Sequence, residues 1–271
     1  METSSTSRRR KAFALLPLGL VFVEYITIAK AYKAAFASDV LDFLNGRVKT
    51  PPISLLMFAG PGKMIGQIGF PLISVLGCSC LPEFFRGIEK ASGQQLAKEY
   101  SNILLLLRVS VLIAFSCLAV VGLLPLQEDI NLVITQKYPV NWQSIIHQIA
   151  AALFFMLSIF HMGIWLYFTA RKCSSTMPIH YKNSSKSFAF KALCFLFSLF
   201  PLPAAFILHP VSPLRKKLSL TNADAGGLTQ YALVACVSCF FASYSYELWY
   251  MENQNTFSSS IESTKPISKK N

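Results

Sequence analysis

His147 is a side chain of this chain that could transfer protons at neutral pH. Because imidazole titrates near neutrality, His147 could act as a general base for acyl transfer. The favoured alternative is a structural role, in which His147 anchors the mouth of a span by hydrogen bonding. No nucleophile or carboxylate can be identified beside it in the sequence, and no G-x-S-x-G, H-E-x-x-H or phosphate-binding loop occurs. The sequence therefore predicts no catalytic set, no cofactor and no metal site. It favours a non-enzymatic protein and leaves enzymatic activity open.

Polar side chains that interrupt long apolar runs form two predicted groups, since each must find a hydrogen-bond partner there. The first group, expected at one depth near the lumenal ends of the helices, is Ser54, Gln67, Gln127, His147 and Gln230. Hydrogen bonding between helices is the favoured interpretation of this group, and a pocket for a lipid headgroup or glycan is its functional alternative. The second group, expected on the cytosolic side, is Arg108, His161, Lys191 and Glu247. There, Arg108 is predicted to pair with Glu247.

Three further residues have individual interpretations. Glu24 lies near the middle of the first apolar run and is predicted to be protonated, or bonded to a Ser or Tyr of a neighbouring helix. Cys173 follows Arg171-Lys172 and is a hypothetical palmitoylation site. The Cys236-x-x-Cys239 pair lies inside an apolar run, where no redox or metal role is expected.

The stretch from Trp142 to Ala170 indicates the environment in which these residues must be positioned. It lies between Lys137 and Arg171, and no Asp, Glu, Lys or Arg occurs between those two residues. A helix of this length, at about 1.5 Å per residue, exceeds a hydrocarbon core of about 30 Å. The whole chain is 53% apolar and 14% charged, with a mean hydropathy of +0.46. We therefore predict an all-α, polytopic membrane protein.

Six transmembrane helices are predicted within a membrane domain that covers residues 12–251. Their expected ranges are about 12–31, 64–84, 103–126, 142–170, 187–209 and 228–251. The segments 1–11 and 252–271 are predicted to be disordered and cytosolic. The connection from Tyr32 to Lys63 is predicted to be non-helical because it is rich in turn dipeptides. The first run also fits a signal peptide cleaved near Ala29-Lys30-Ala31, but a retained helix is favoured.

Lys and Arg counts favour a bundle with both termini in the cytosol. In that orientation the cytosolic segments carry fifteen Lys and Arg and the opposite side carries nine, with Arg108 inside a span. The glycosylation sequon at Asn183 would then be cytosolic and unmodified. The net charge of +12 is distributed in short clusters between apolar runs, which indicates contacts with anionic lipids rather than with nucleic acid. Seven Cys, mostly within apolar runs, predict no disulfide framework.

Short motifs in serial order resemble those of the Frag/DRAM/Sfk family of six-span membrane proteins. They are Leu16-Pro17, Gly46-Arg47-Val48, Pro52-Ile53-Ser54, Gly60-Pro61, Leu126-Gln127-Glu128, His147 before an alanine-rich stretch, Gln230-Tyr231, and Ser243 to Glu247. The resemblance covers residues 12–250. This chain has Gln230 where the family commonly has Glu, and Arg108 is not typical of the family.

The resemblance implies two possible functions, and the six predicted spans permit a third. The first is a non-enzymatic modulator that acts in membrane lipid regulation, trafficking or autophagy by binding lipids or protein partners. The second is an enzyme or accessory factor of GPI-anchor lipid remodelling, with His147 as its general base. The third, a small-solute transporter, is disfavoured because the sequence shows no internal repeat. Golgi, lysosome or endosome, and plasma membrane are all compatible with the sequence.

Overall fold

The computed structural model describes residues 14–37, 50–57, 60–91, 93–126, 141–172, 185–200, 213–219 and 222–249. Within these ranges the chain is helical and contains no strand. The helices are α1 (Leu16–Ala37), α2 (Ile53–Leu56), α3 (Gly60–Ala91), α4 (Gly93–Leu123), α5 (Trp142–Lys172), α6 (Ser185–Ser198), α7 (Pro213–Leu218) and α8 (Asn222–Ala242). After a turn at Ser243, residues 244–249 are helical again.

Four stretches of these helices are long and apolar enough to cross a membrane. They are Gly60–Pro82, Ser101–Leu123, Trp142–Ala170 and Asp224–Trp249, which correspond to the predicted second, third, fourth and sixth spans. Helix α1 covers much of the predicted first span but is not one of these four. Helix α6 has 14 residues, or about 21 Å at the helical rise, and residues 201–209 of the predicted fifth span lie outside the described ranges. The described part of the chain is therefore all-helical with four candidate membrane spans.

The connection predicted to be non-helical between residues 32 and 63 is partly helical, so that prediction was wrong. Helix α1 continues to Ala37 through an alanine-rich stretch that favours helix, and α2 occupies Ile53–Leu56. Helix α3 begins at Gly60, with Pro61 at its first turn, where proline is well tolerated. Pro71 and Pro82 lie inside α3, which continues through both to Ala91.

The helices pack in a layered order that brings distant parts of the chain together. Helix α3 lies between α1 and α4, and α4 packs in turn on α5. Helix α8 packs against α6 and α1. A Cβ atom at Gly69 would lie 2.3 Å from the Thr27 side chain, so glycine allows the close approach of α3 and α1.

Aromatic rings fill the core where α3, α5 and the 244–249 stretch meet. The Phe84 ring centroid lies 4.6 Å from that of Tyr244 and 5.5 Å from that of Trp165. All three side chains are fully buried, and their tilted rings are a favourable arrangement for aromatic pairs. This packing fixes the rotation of α5 and of the last helical stretch, which carry His161 and Glu247.

The described chain begins and ends at the same end of the helix bundle. The backbone N–H of Leu18, near the start of α1, donates to Ser245 Oγ at 3.0 Å. Helices α5 and α8 both run toward this end, because Trp165 and Tyr244 meet there. The segment 50–57 and the N-terminal halves of α5 and α8 lie at the opposite end.

Candidate functional site

The segment 50–57 is held against the N-terminal half of α8 by hydrogen bonds. Asp224 Oδ1 accepts from Thr50 N–H at 2.7 Å and from Thr50 Oγ1 at 3.1 Å. Gln230 Oε1 accepts from the backbone N–H of Ile53 at 3.0 Å. Because Pro52 offers no side-chain cap for α2, Gln230 satisfies an N–H group at the start of this short helix.

A glycine in α8 permits this close approach. A Cβ atom at Gly227 would lie 1.9 Å from the Thr50 carbonyl oxygen, a separation that no side chain can occupy. At Gly226 the Cβ atom would meet Pro52 Cγ at 3.7 Å, an ordinary contact. The position of segment 50–57 on α8 therefore depends on Gly227.

His147 joins this segment to α5 and to the end of α4. Its Nδ1 atom lies 2.8 Å from the Leu124 carbonyl oxygen, and its Nε2 atom lies 3.1 Å from Ser54 Oγ. A carbonyl oxygen can only accept, so Nδ1 carries the hydrogen in this geometry. In the neutral imidazole, Nε2 is then the acceptor and Ser54 Oγ–H the donor. The His147 side chain is 3% exposed.

Ser54, His147 and Gln230 line one cavity, here called the Ser54 cavity. It has a volume of about 50 Å³, and Glu24 contributes a fourth polar side chain to a wall that is otherwise mostly apolar. A water molecule needs about 10–15 Å³ by this measure, so the space admits a few waters or one small functional group. A whole lipid headgroup or glycan exceeds it.

The structure brings together only part of the predicted lumenal group. Ser54, His147 and Gln230 line the Ser54 cavity, whereas Gln67 is partly exposed on α3 and does not line it. Gln127 lies outside the described residues. The role of these residues as a binding site stays a prediction.

Glu24 has a partner of the predicted type. Its Oε2 atom accepts a hydrogen bond from Ser238 Oγ of α8, and both side chains are buried. This contact satisfies a carboxyl group inside an apolar helix, where an unpartnered one would be costly. It also ties α1 to α8 on one side of the Ser54 cavity.

The second predicted group is also brought together in part. Lys191 Nζ lies 2.5 Å from Glu247 Oε1, and Ser187 Oγ donates to the same oxygen at 3.1 Å. The sequence predicted Arg108 as the partner of Glu247, but the ion pair in the described chain is with Lys191. Arg108 is half-buried on α4. Lys191 lies on α6, which packs directly on α8, so it reaches Glu247 without crossing another helix.

Aromatic rings surround the Lys191 ammonium group. Its Nζ atom lies 4.2 Å from the ring centroid of Tyr244 and 5.3 Å from that of Trp165. The faces of aromatic rings attract cations, most strongly where water is excluded. Lys191 is therefore held by a carboxylate and by aromatic rings together.

His161 forms a buried chain of hydrogen bonds that shares Tyr244 with the surroundings of Lys191. Its Nδ1 atom lies 3.0 Å from Ser110 Oγ, and its Nε2 atom lies 2.9 Å from Tyr244 Oη. Ser110 Oγ also lies 3.0 Å from the Leu107 carbonyl oxygen, to which it donates. Ser110 therefore accepts from Nδ1–H, and Tyr244 donates to Nε2. His161 is 0% exposed and acts as a link between helices.

The remaining predictions concern metals and Cys173. Within the described ranges, no group of three or more His, Cys, Asp or Glu side chains is placed to hold a metal ion. Cys173 lies outside those ranges.

No family model, curated protein or solved structure matches this chain.

Several residues of the two sites escaped the sequence analysis. They are Thr50 and Asp224 at the Ser54 cavity end, Ser238 beside Glu24, and Ser110 and Tyr244 beside His161. For Ser238, the sequence contains a spacing pattern that could have identified it. Gln230, Ser238 and Ser245 follow each other at intervals of eight and seven residues, which places them on one side of a helix.

Proposed function

We propose that the protein is an integral membrane protein that binds a membrane lipid through the Ser54 cavity. It would act in membrane lipid regulation, trafficking or autophagy through that binding, as its resemblance to the Frag/DRAM/Sfk family implies. The observation that supports this proposal most is a partly polar cavity between apolar helices, lined by Glu24, Ser54, His147 and Gln230. Polar groups inside membrane helices commonly mark ligand sites.

The size of the cavity defines which part of the lipid it receives. About 50 Å³ accommodates an ester or a hydroxyl-bearing carbon but not a headgroup. The lipid would therefore insert its polar linkage between the helices, while its headgroup and chains stay outside. Such a linkage offers carbonyl oxygens to the amide hydrogens of Gln230.

The proposal includes an orientation in the membrane. Both chain ends would lie in the cytosol, where fifteen Lys and Arg compare with nine on the other side, and the Ser54 cavity would face the lumen. Basic clusters on the cytosolic side would add attraction to anionic lipids of about 1 kcal/mol per Lys or Arg near the surface.

A cavity-filling pair of variants tests the binding proposal. Ala151→Val adds two methyl groups to the wall of the cavity, and Ala152→Val makes the same change at the exposed neighbouring residue. The purified protein is measured by native mass spectrometry for copurified lipid. We expect Ala151→Val to weaken the affinity for lipid about tenfold, equivalent to about 1.4 kcal/mol, and so to lower the bound fraction, and Ala152→Val to leave it unchanged.

Equal lipid retention by the two variants, or a wild-type protein without bound lipid, would contradict the proposal. Unfolding midpoints measured for both variants verify that the comparison concerns folded protein.

A further inference from the structure

We propose that Ser54 is a nucleophile activated by His147, and that this pair transfers the acyl group of a lipid ester seated in the Ser54 cavity. The inference rests on the proposed lipid binding and adds a covalent step to it. Binding requires only that the cavity admits the ester, whereas the covalent step requires the particular arrangement of Ser54 and His147.

The orientation of His147 is that of a general base. The Leu124 carbonyl oxygen, 2.8 Å from Nδ1, fixes the hydrogen on that nitrogen. The lone pair of Nε2 therefore points to Ser54 Oγ at 3.1 Å. A serine becomes nucleophilic when an oriented imidazole accepts its proton, and here a backbone carbonyl orients the imidazole.

Ser54 and Gln230 are both positioned for a carbonyl group in the cavity. Segment 50–57 is anchored at Thr50 and at Ile53, so Ser54 lies on a fixed short helix. Gln230 Oε1 accepts from Ile53 N–H, which leaves its amide Nε2 as the donor available on the cavity wall. In this arrangement, the amide donates to the ester carbonyl oxygen while Ser54 attacks the carbonyl carbon.

The transfer has two balanced halves. Ser54 Oγ bonds to the ester carbonyl carbon as its proton passes to His147 Nε2, and the alcohol part of the lipid leaves with that proton. This gives an acyl group esterified to Ser54. A hydroxyl group of water or of a second lipid then attacks the acyl carbon, loses its proton to His147 Nε2 and releases Ser54, which regains that proton.

His161 provides an internal comparison. It also contacts a serine hydroxyl, Ser110, at 3.0 Å, but both side chains are buried and neither lines the Ser54 cavity. Moreover, the hydroxyl hydrogen of Ser110 is given to the Leu107 carbonyl oxygen rather than to the imidazole. The two Ser–His contacts therefore differ in access and in the direction of the hydrogen bond. Of the two serines, only Ser54 both lines the cavity and donates its hydroxyl hydrogen to the imidazole.

A fluorophosphonate probe with an alkyl chain tests the inference on the full-length protein in lipid nanodiscs. An activated serine displaces fluoride from phosphorus and stays covalently modified, and mass spectrometry of peptides locates the modified residue. We expect modification at Ser54 and none at Ser110. Ser54→Ala should abolish it, and His147→Gln should slow it about a hundredfold or more, because glutamine cannot accept the proton.

Ser79→Ala is the matched control, since Ser79 is exposed and its hydroxyl donates to the Val75 carbonyl oxygen of its own helix. It should leave the labelling rate unchanged. Absence of modification at Ser54 in the wild-type protein, or equal labelling rates in wild type and His147→Gln, would overturn the inference. Native mass spectrometry of Ser54→Ala separates the two proposals. If Ser54→Ala retains lipid but the probe does not label the wild-type protein, only the covalent step is contradicted. If the wild-type protein itself carries no lipid, the binding proposal is contradicted.

Discussion

Lys191 is held by a single carboxylate and several aromatic rings, at a side-chain exposure of 1%. Glu247, its partner at 2.5 Å, is 7% exposed. In such a pair each charge makes the burial of the other tolerable, because either charge alone would be buried without compensation. The rings of Tyr244 and Trp165 add a cation–π contribution from two other sides.

Removing one charge should therefore destabilise the protein more than removing both. We expect Lys191→Met to lower the free energy of unfolding by about 3–5 kcal/mol, because Glu247 is then buried without its partner. Combining it with Glu247→Leu should recover most of that loss. Unfolding of the purified protein in detergent micelles, followed by circular dichroism, provides the measurement.

Lys186→Met is the control, since Lys186 is exposed on the same helix. We expect it to change the free energy of unfolding by about 0.5 kcal/mol or less. Similar unfolding curves for Lys191→Met and Lys186→Met would show that the buried ion pair contributes little.

The sequence indicated which polar side chains matter but not all of their partners. Glu24 was expected to be protonated, or bonded to a Ser or Tyr of a neighbouring helix, and Ser238 is a partner of that type. Arg108 was expected beside Glu247, yet Lys191 is there. Hydropathy shows that a helix is buried in an apolar solvent, but the rotation of each helix about its axis follows from packing against its neighbours. For α5 and residues 244–249, that packing is made by aromatic rings whose contacts no spacing rule specifies.

At the scale of elements, helix α8 is the support on which the Ser54 cavity is assembled. Its N-terminal half supplies Asp224 and Gln230 to segment 50–57, and further along it supplies Ser238 to Glu24. A short helix of four residues is unstable alone, so α2 depends on these contacts for its position. The cavity should thus be sensitive to any change that separates α8 from segment 50–57.

Gly227→Ala should release that segment, whereas Gly226→Ala should not. The methyl group added at position 227 would overlap the Thr50 carbonyl oxygen, and the one added at position 226 would make an ordinary contact. Hydrogen exchange measured by mass spectrometry reports the difference. We expect faster exchange in residues 50–57 of Gly227→Ala only, and identical exchange in the two variants would contradict the role given to Gly227.

Long apolar helices were the elements that the sequence predicted best. The fourth predicted span, 142–170, coincides with the candidate span Trp142–Ala170, and the second begins four residues earlier than predicted. Short helices were missed. Helix α2 contains no periodic pattern. Gln230 accepts from the N–H of its first residue, Ile53, and Asp224 accepts from Thr50 just before it, both from more than 170 residues away. Such distant contacts have no local signature in a sequence.

At the scale of the whole molecule, the two ends of the described chain lie together and the Ser54 cavity lies at the other end. Leu18 contacts Ser245 at one end, while His147 contacts Ser54 at the other. Along α5, His147 and His161 are fourteen residues apart, or about 21 Å at the helical rise. The two polar sites are thus separated by much of the thickness of a hydrocarbon core of about 30 Å. In the proposed orientation, the Ser54 cavity lies in the lumenal half of the bilayer.

Glycosylation mapping in microsomes tests this sidedness most directly. One variant receives an Asn-Ser-Thr acceptor between residues 127 and 140, and a second receives it between residues 252 and 271, while the natural sequon at Asn183 serves as a third site. We predict a sugar on the 127–140 acceptor alone. A sugar on Asn183 or on the 252–271 acceptor, with none on the 127–140 acceptor, would contradict the account and place the Ser54 cavity on the cytosolic face.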